Sequence, residues 1–245
     1  MNLTNKIIVI TGASKGLGKE TALRLCNHHS DLILIARNKN RLEQVQIEIE
    51  TRTGKKPLII PCDISNEAEV NHMAEIVRQS YNHVDVLINN AGIGVHKIAE
   101  KLSNEEMRQQ FTVNFFGSFY CIKTLLPLLK KSDSAYILNI NSLVSKVSTA
   151  DNSVYAATKS ALAGFSEGLR RELKKMKIRV GLFFPGILET GFQHDREDTG
   201  KIPSFMMLNP AKAAAKLEKM IIKRKKESYM YRWMLLIMKV KQLFM

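Results

Sequence analysis

The residues best suited to chemistry lie in the stretch SVYAATKSA at residues 153–161, where Tyr155 and Lys159 are four positions apart. On a helix this spacing places both side chains on one face. A free tyrosine, with a pKa of about 10, is a poor acid or base at neutral pH, but a fixed ammonium beside it favours the phenolate. The pair could therefore exchange a proton with a substrate oxygen. The same spacing also arises by chance on surface helices of a lysine-rich chain, so the rest of the sequence must decide.

A second chemical feature is the glycine-rich stretch TGASKGLG at residues 11–18, which follows an apolar run and opens a helical stretch. Glycines allow a tight turn, and a helix N-terminus offers N–H groups to a phosphate. The next apolar run is followed by Arg37, where NAD-binding sites usually carry an acidic residue, and Lys15 lies within the glycine-rich loop. Two cations near the ribose 2′ position favour a 2′-phosphate, so the sequence predicts NADP(H) in preference to NAD(H). The alternative is that Arg37 only faces solvent.

The elements that must position these residues alternate between short apolar runs and longer helical stretches. The apolar runs, typical of buried parallel strands, are 7–10, 32–36, 57–61, 84–89, 135–140 and 179–184. The helical stretches are 16–29, 38–53, 66–81, 105–131, 153–176 and 210–226, and 227–231 could add a last strand. This alternation predicts an α/β fold: a doubly wound, mostly parallel Rossmann sheet of six to seven strands, with helices on both faces in three layers.

The 245 residues contain no internal repeat and no Gly/Ser linker, which indicates one domain over 1–228 followed by a basic amphipathic helix over 229–245. The long stretch 185–210 is a candidate substrate loop. The three cysteines are widely spaced, which predicts free thiols in a reducing compartment and hence a cytoplasmic protein. Neither the cysteines nor the six histidines show metal-ligand spacing, so we expect no metal site.

Half of the net charge of +14 lies in residues 216–245, which carry nine Lys/Arg and two Asp/Glu. In 229–245 apolar residues recur at helical spacing, but the segment is shorter than the roughly 20 residues needed to span a bilayer. Three interpretations stay open. The helix packs on its own domain or a second subunit, it covers an apolar substrate pocket, or it makes peripheral contact with an anionic membrane surface. No recognised nucleic-acid motif is present, so we expect no nucleic-acid partner.

Five features follow one another along the chain in a way that resembles the short-chain dehydrogenase/reductase family. They are TGASKGLG, NNAG at 89–92, Asn114, Ser142 and the Tyr155–Lys159 pair. The resemblance extends from about Lys6 to Thr190 and implies four catalytic residues. Tyr155 would be the acid/base, and Lys159 would lower its pKa and hold the nicotinamide ribose. Ser142 would hydrogen-bond the substrate oxygen, and Asn114 would support a proton-carrying water chain.

The resemblance also implies which residues contact the cofactor. They are Gly12, Ser14, Lys15, Gly16, Leu17, Gly18, Arg37, Asp63, Ile64, Asn90, Ala91, Gly92, Tyr155, Lys159, Pro185, Gly186, Leu188 and Thr190. In this scheme 63–64 contacts the adenine, 90–92 lines the adenosine ribose, and 185–190 binds the nicotinamide amide. For Asp63 and Asn90 the alternative is that each caps a helix or ties a turn.

The function that the resemblance implies is an NADP(H)-dependent oxidoreductase interconverting a carbonyl and a secondary alcohol on an apolar or lipid-like substrate. The C-terminal segment resembles the branch of the family with a C-terminal extension. One alternative is a 3-oxoacyl-carrier-protein reductase, with Lys130, Lys131, Arg170 and Arg171 available to dock an acidic carrier. Another is a catalytically silent protein that senses a dinucleotide or associates with a membrane. By analogy with the family, we expect a homodimer or homotetramer paired through the helices at 105–131 and 153–176.

Overall fold

Seven strands of the described part of the chain form one parallel sheet. The computed structural model of the protein describes residues 1–189, 207–233 and 235. The strands are β1 Ile7–Thr11, β2 Asp31–Ala36, β3 Leu58–Pro61, β4 Val86–Asn89, β5 Tyr136–Ile140, β6 Arg179–Phe184 and β7 Glu227–Tyr229. Their order in the sheet is β3-β2-β1-β4-β5-β6-β7, and every neighbouring pair is parallel. The predicted doubly wound α/β sheet is confirmed, including the seventh strand.

Helices cover both faces of the sheet and create two apolar cores. The helices are α1 Gly16–Leu25, α2 Lys39–Thr53, α3 Glu67–Ser80, α4 Asn104–Phe111, α5 Ser118–Leu129, α6 Ser153–Glu172 and α7 Pro210–Lys223. Along β1 the side chains alternate: Ile8 and Ile10 join the core under α1, α2 and α7, whereas Ile7 and Val9 join the core under α3, α5 and α6. Both faces are buried, which explains why the strands appear in the sequence as continuous apolar runs.

The helix predicted over 105–131 is not a continuous α-helix in the structure. It runs from Asn104 to Leu129, but the six residues Thr112–Gly117 between α4 and α5 are π-helical. Its length and composition would allow it to cross a membrane, but half of the apolar window is buried within the protein. That burial is typical of a core helix in a layered fold, and α5 packs against α3, β4 and β5. The π-helical stretch carries Asn114, and such bulges are often found at functional sites.

Several other helices end earlier than predicted. α1 ends at Leu25 and is followed by a 3₁₀ turn, Cys26–His28. Similarly, α6 ends at Glu172 before a second 3₁₀ turn. Likewise, α7 stops at Lys223 because Arg224 adopts a left-handed backbone with φ of +44°. The periodic pattern of apolar residues continues through such turns, so it overestimates the length of each helix.

The chain beyond β7 begins by packing on its own domain. Tyr231 and Leu235, together with Tyr229 at the end of β7, lie against a small apolar cluster formed by Leu143, Leu182 and Phe184. Between them, Trp233 is 58% exposed. Residues 234 and 236–245 lie outside the described residues, so the amphipathic helix predicted over 229–245 stays a prediction.

Candidate active site

The predicted site residues meet in a cleft at the carboxyl ends of the strands. The cleft lies between β1 and β4, where the order in which successive strands are added to the sheet reverses, and has a volume of about 540 Å³. Crevices at this point of doubly wound sheets are the usual place for a ligand. Its lining includes the predicted residues Gly12, Ser14, Lys15, Gly16, Leu17, Arg37, Asp63, Ile64, Asn90, Ala91, Gly92, Tyr155, Lys159, Pro185, Gly186 and Leu188.

The glycine-rich loop is held tightly against the turn after β4. Gly12 adopts a left-handed φ of +65°, and a Cβ on it would lie 2.9 Å from the Ala91 Cα. Asn90 donates from its side-chain amide to the carbonyls of Thr11 (2.9 Å) and Gly12 (3.2 Å). A Cβ on Gly18 would collide with the Gly12 carbonyl, so Gly18 allows this close packing and does not itself line the cleft. Asn90 therefore ties the two loops together, in addition to any contact with a ligand.

The N-terminus of α1 opens into the cleft without a side-chain cap. Lys15 occupies the N-cap position in an extended conformation, and its side chain makes no capping hydrogen bond. Gly16 and Leu17, in the first turn, line the cleft. The first N–H groups of a helix need an acceptor, and an anion at this position would provide one and would also be favoured by the helix dipole. This end of the cleft fits a pyrophosphate.

Three cationic side chains line the same end of the cleft: Lys15, Arg37 and Arg41. Arg37 lies 3.7 Å from a carboxylate oxygen of Asp63. That carboxylate also accepts hydrogen bonds from the backbone and hydroxyl of Ser65, so Asp63 ties a turn and lines the cleft at once. Sequence reasoning missed Arg41, although its place in the first turn of α2, four residues after Arg37, was an available signal.

Tyr155 lies in the first turn of α6 and is 8% exposed. Burial raises the pKa of Tyr155, and a hydrogen bond with Ser142 opposes that rise. The phenol therefore keeps its proton at neutral pH in this structure. Ser142 follows β5 and begins a short 3₁₀ turn, in which its Oγ accepts from the Val144 N–H at 3.4 Å. The hydroxyls of Tyr155 and Ser142 are thus brought together, as the resemblance implies.

Lys159 is buried one helical turn further along α6, with its Nζ 5.8 Å from the centre of the Tyr155 ring. Nζ donates to the Ile140 carbonyl at 3.0 Å, and burial lowers the pKa of Lys159 to about 8. We expected this ammonium to lower the pKa of Tyr155. In the structure burial raises the pKa of Tyr155, and Lys159 donates to a carbonyl of β5, so the effect of Lys159 on Tyr155 stays a prediction.

Asn114 does not line the cleft but connects three parts of the site. Its Oδ1 accepts from the Ile93 N–H at 2.8 Å, and its Nδ2 donates to the Ile93 carbonyl at 2.9 Å and to Thr158 Oγ1 at 3.1 Å. The side chain is fully buried. Asn114 therefore fixes the loop after β4 against α6, between Tyr155 and Lys159. Thr158 was missed from the sequence, since only the fold brings it to Asn114.

The segment after β6 closes one side of the cleft. Gly186 adopts a left-handed φ of +77°, and Leu188 forms a parallel bridge with Leu208. The Glu189 N–H donates to the Leu208 carbonyl at 3.0 Å, so the two ends of the predicted substrate loop are held together. Thr190, the last predicted cofactor contact, lies outside the described residues, as does most of the loop.

Among the residues that are described, no group of three or more His, Cys, Asp or Glu side chains could hold a metal ion.

A dinucleotide-binding crevice that ends at a buried tyrosine and lysine defines a class of nicotinamide-dependent oxidoreductases. The sequence profile described as "short chain dehydrogenase" matches residues 6–201. An uncharacterized oxidoreductase of Staphylococcus saprophyticus is 35% identical over 193 residues, covering 77% of this chain and 76% of the relative. The protein belongs to the short-chain dehydrogenase family and is an oxidoreductase with a nicotinamide dinucleotide cofactor.

Solved structures show the same fold around bound cofactors. An alcohol dehydrogenase from Thermococcus sibiricus, complexed with 5-hydroxy-NADP, is 29% identical, with a TM-score of 0.83 over 92% of this chain and 95% of its own. A short chain dehydrogenase from Escherichia coli CFT073, complexed with NADPH, is 27% identical, with a TM-score of 0.85 over 93% and 98%. A family member from Burkholderia phymatum, complexed with NAD, is 21% identical, with a TM-score of 0.88 over 98% and 93%, and shares the fold.

Proposed function

We propose that the protein is an NADP(H)-dependent oxidoreductase that interconverts a carbonyl and a secondary alcohol on an apolar or lipid-like substrate. One observation carries the proposal: a single cleft has three cations at one end and the buried Tyr155–Ser142 hydroxyl pair near the other. The first end suits a 2′-phosphate, and the second suits proton exchange with a substrate oxygen.

In the proposed reaction the cofactor supplies or accepts the hydride. Tyr155, whose proton is retained because burial raises its pKa, donates that proton to the carbonyl oxygen during reduction. Ser142, which hydrogen-bonds Tyr155 in the structure, turns its one hydroxyl hydrogen to this oxygen when a substrate is bound and so fixes the substrate's orientation. Lys159, with a pKa of about 8, holds a positive charge at pH 7 that stabilises the phenolate left behind. Asn114 keeps the loop after β4 and α6 in register.

The preference for NADP(H) is supported by the cations Lys15, Arg37 and Arg41 at the end of the cleft formed by the glycine-rich loop and β2. No carboxylate stands at the position after β2, where a ribose diol would need an acceptor. The alcohol dehydrogenase and the Escherichia coli structure described above, both more than 25% identical to this chain, were solved with NADP-type cofactors. Replacing Arg37 with Asp should therefore lower the affinity for NADPH and raise that for NADH, measured by cofactor fluorescence. Arg78→Asp, on the surface of α3, is the matched control for charge reversal.

An apolar substrate is supported by the side chains that follow Ser142. Leu143 belongs to the apolar cluster with Leu182 and Phe184, onto which Tyr231 and Leu235 pack. This cluster brings the C-terminal segment beside the catalytic turn, where it could border the substrate. The alternative of a carrier-dependent reductase is less well supported, because two of its four proposed docking residues, both arginines, make contacts within the protein. Arg170 bonds to carbonyls of β6 and Lys226, and Arg171 pairs with Glu167 at 3.1 Å.

We further propose a cytoplasmic homodimer or homotetramer. Five aromatic side chains of the π-helical stretch, α5 and α6 form one cluster, and Phe116 in it is 43% exposed. An exposed aromatic patch on these helices suits burial by a second copy of the chain. Light scattering after size-exclusion chromatography of the wild type and Phe116→Lys tests this: the variant should be monomeric. The three buried free cysteines agree with a reducing compartment.

The decisive experiment is turnover of a panel of ketones, steroids and 3-oxoacyl thioesters with NADPH, and separately with NADH, followed by loss of cofactor absorbance. Tyr155→Phe is run beside the wild type, because it keeps the ring and removes the proton. NADPH-dependent turnover that disappears in the variant supports the proposal, and the best substrate identifies the class. NADPH binding without turnover of any compound would favour the dinucleotide-sensing alternative, and absence of NADPH binding would overturn the proposal.

A further inference from the structure

A buried polar chain lies behind the catalytic tyrosine and is not part of the roles assigned above. It consists of His96, Asn152 and Asp151, which are 3%, 2% and 5% exposed. Asn152 donates from Nδ2 to the Asp151 carboxylate at 2.6 Å and to Thr149 Oγ1 at 2.6 Å. The Oδ1 of the same amide lies 2.6 Å from Nδ1 of His96. The imidazole in turn meets the Tyr155 ring edge to face, with centroids 5.8 Å apart and planes at 63°.

These contacts fix the tautomer of His96. An ionised carboxylate only accepts hydrogen bonds, so the amide must present its NH₂ group to Asp151 and its oxygen to the imidazole. An amide oxygen also only accepts, and Nδ1 of His96 therefore carries the hydrogen. Asp151 thus sets the orientation of the ring through Asn152, although it is two side chains away.

One member of this buried polar chain, Asn152, occupies a position from which its side chain would otherwise cap a helix. Asn152 occupies the N-cap of α6, where an asparagine side chain usually accepts from a backbone N–H of the first turn. Here its side chain makes no capping hydrogen bond and is directed to His96 and Asp151 instead. Tyr155 lies in that first turn, three residues beyond the N-cap. The first turn of α6 is therefore anchored to the loop after β4, which carries His96, by a tertiary contact.

We propose that His96 is a positioning residue for Tyr155. The Asp151–Asn152 pair holds the imidazole, and the imidazole sets the tilt of the phenol ring and hence the place of its hydroxyl beside Ser142. This inference rests on the proposed function, because the geometry of the hydroxyl matters for proton transfer to a substrate. In the same loop, the backbone N–H groups of Ile93 and Val95 donate to Asn114 and Gln110, so the segment that carries the imidazole is held in place.

The test uses two variants of the full-length protein, which interrupt the hydrogen-bonded series His96–Asn152–Asp151 at different points. His96→Phe keeps an aromatic ring beside Tyr155 but removes the Nδ1 donor, and Asp151→Asn removes the charge that orients the amide. Each should lower kcat about tenfold and leave the KM for NADPH within about twofold, since a misplaced acid slows chemistry without loosening the cofactor. The double variant should be no slower than the slower single variant, because both changes disable one unit.

Ser132→Ala is the control for stability, because it removes a buried hydrogen bond to Asp85 far from the cleft. It should lower Tm as the chain variants do and leave kcat unchanged. If the wild type turns over a carbonyl and both chain variants keep its kcat, the inference is overturned and the proposed function stands. Additive losses in the double variant would also overturn it.

A substrate-free measurement keeps the inference testable if no substrate is found. The near-ultraviolet circular dichroism of Tyr155 is obtained as the difference between the wild type and Tyr155→Phe. In the Asp151→Asn background this difference should become smaller, because the phenol ring loses its fixed tilt. An unchanged difference spectrum would overturn the positioning role independently of any enzyme assay.

Discussion

Lys159→Met should make the protein more stable at pH 7 while removing its activity. Lys159 is 4% exposed, and burial lowers its pKa from the usual 10.5 to about 8. At pH 7 the side chain is still charged in both the folded and the unfolded chain, so folding carries the full cost of burying an ammonium. Methionine has a similar length and no charge, and therefore avoids this cost.

The magnitude follows from the difference between the two pKa values. About 2.5 pKa units correspond to about 3 kcal/mol of destabilisation at pH 7. The variant also loses the hydrogen bond from Nζ to the Ile140 carbonyl, which offsets about 1–2 kcal/mol. We expect a net gain of about 1–2 kcal/mol in the free energy of unfolding, which corresponds to a Tm increase of about 2–8 °C for a chain of this size.

The gain should also depend on pH in a defined direction. Between pH 8 and 10.5 the unfolded chain binds more protons at Lys159 than the folded chain, so wild-type stability rises with pH in this window. At pH 9.5 about 2 kcal/mol of the penalty should be gone, and the advantage of the variant should vanish. Urea unfolding of both proteins without cofactor, at pH 7 and pH 9.5, measures this.

The exposed Lys175 provides the matched control. Lys175→Met should change the free energy of unfolding by less than about 0.5 kcal/mol at either pH. If Lys159→Met is less stable than the wild type by the same amount at both pH values, the burial of a charge at this position is not the dominant cost. The reasoning about Lys159 would then be refuted.

Three further predictions concern the cleft and the opposite end of the sheet. Gly18→Ala should weaken NADPH binding at least about tenfold in fluorescence titrations, because the added Cβ collides with the Gly12 carbonyl and forces the phosphate loop to move. Arg41→Gln should lower the affinity for NADPH but not for NADH, and the effect should be smaller at high salt. Equal losses of affinity for both cofactors would show that Arg41 is remote from the 2′-phosphate. Asp85→Asn should cost about 2 kcal/mol in urea unfolding at pH 7, since the buried carboxylate accepts from Ser132, the Ile7 N–H and Lys6. Although burial alone would raise the pKa of Asp85, these bonds hold it below its usual value, so the cost should shrink as the pH falls through about 4, and a cost that stays constant down to pH 3 would contradict this account.

The sequence by itself determined the strands and the order of the chemistry along the chain. Strands buried on both faces must be apolar at every position, which is why runs such as IIVI at 7–10 identify them without any alignment. The glycine-rich loop and the Tyr155–Lys159 spacing are local patterns as well, because a turn or one helical face brings their members together. Their positions in the cleft agree with these predictions.

Only the tertiary structure decided which residues support that chemistry. Asn114 reaches Thr158, and His96 reaches Asn152, across 44 and 56 positions of sequence, and no local period encodes such contacts. The protonation of Tyr155 likewise could not be read from the spacing of Tyr155 and Lys159, because burial raises the pKa of the phenol more than the hydrogen bond with Ser142 lowers it. Burial and orientation arise when distant elements pack, so the sequence names the acid and the base, and the fold sets their pKa values and directions.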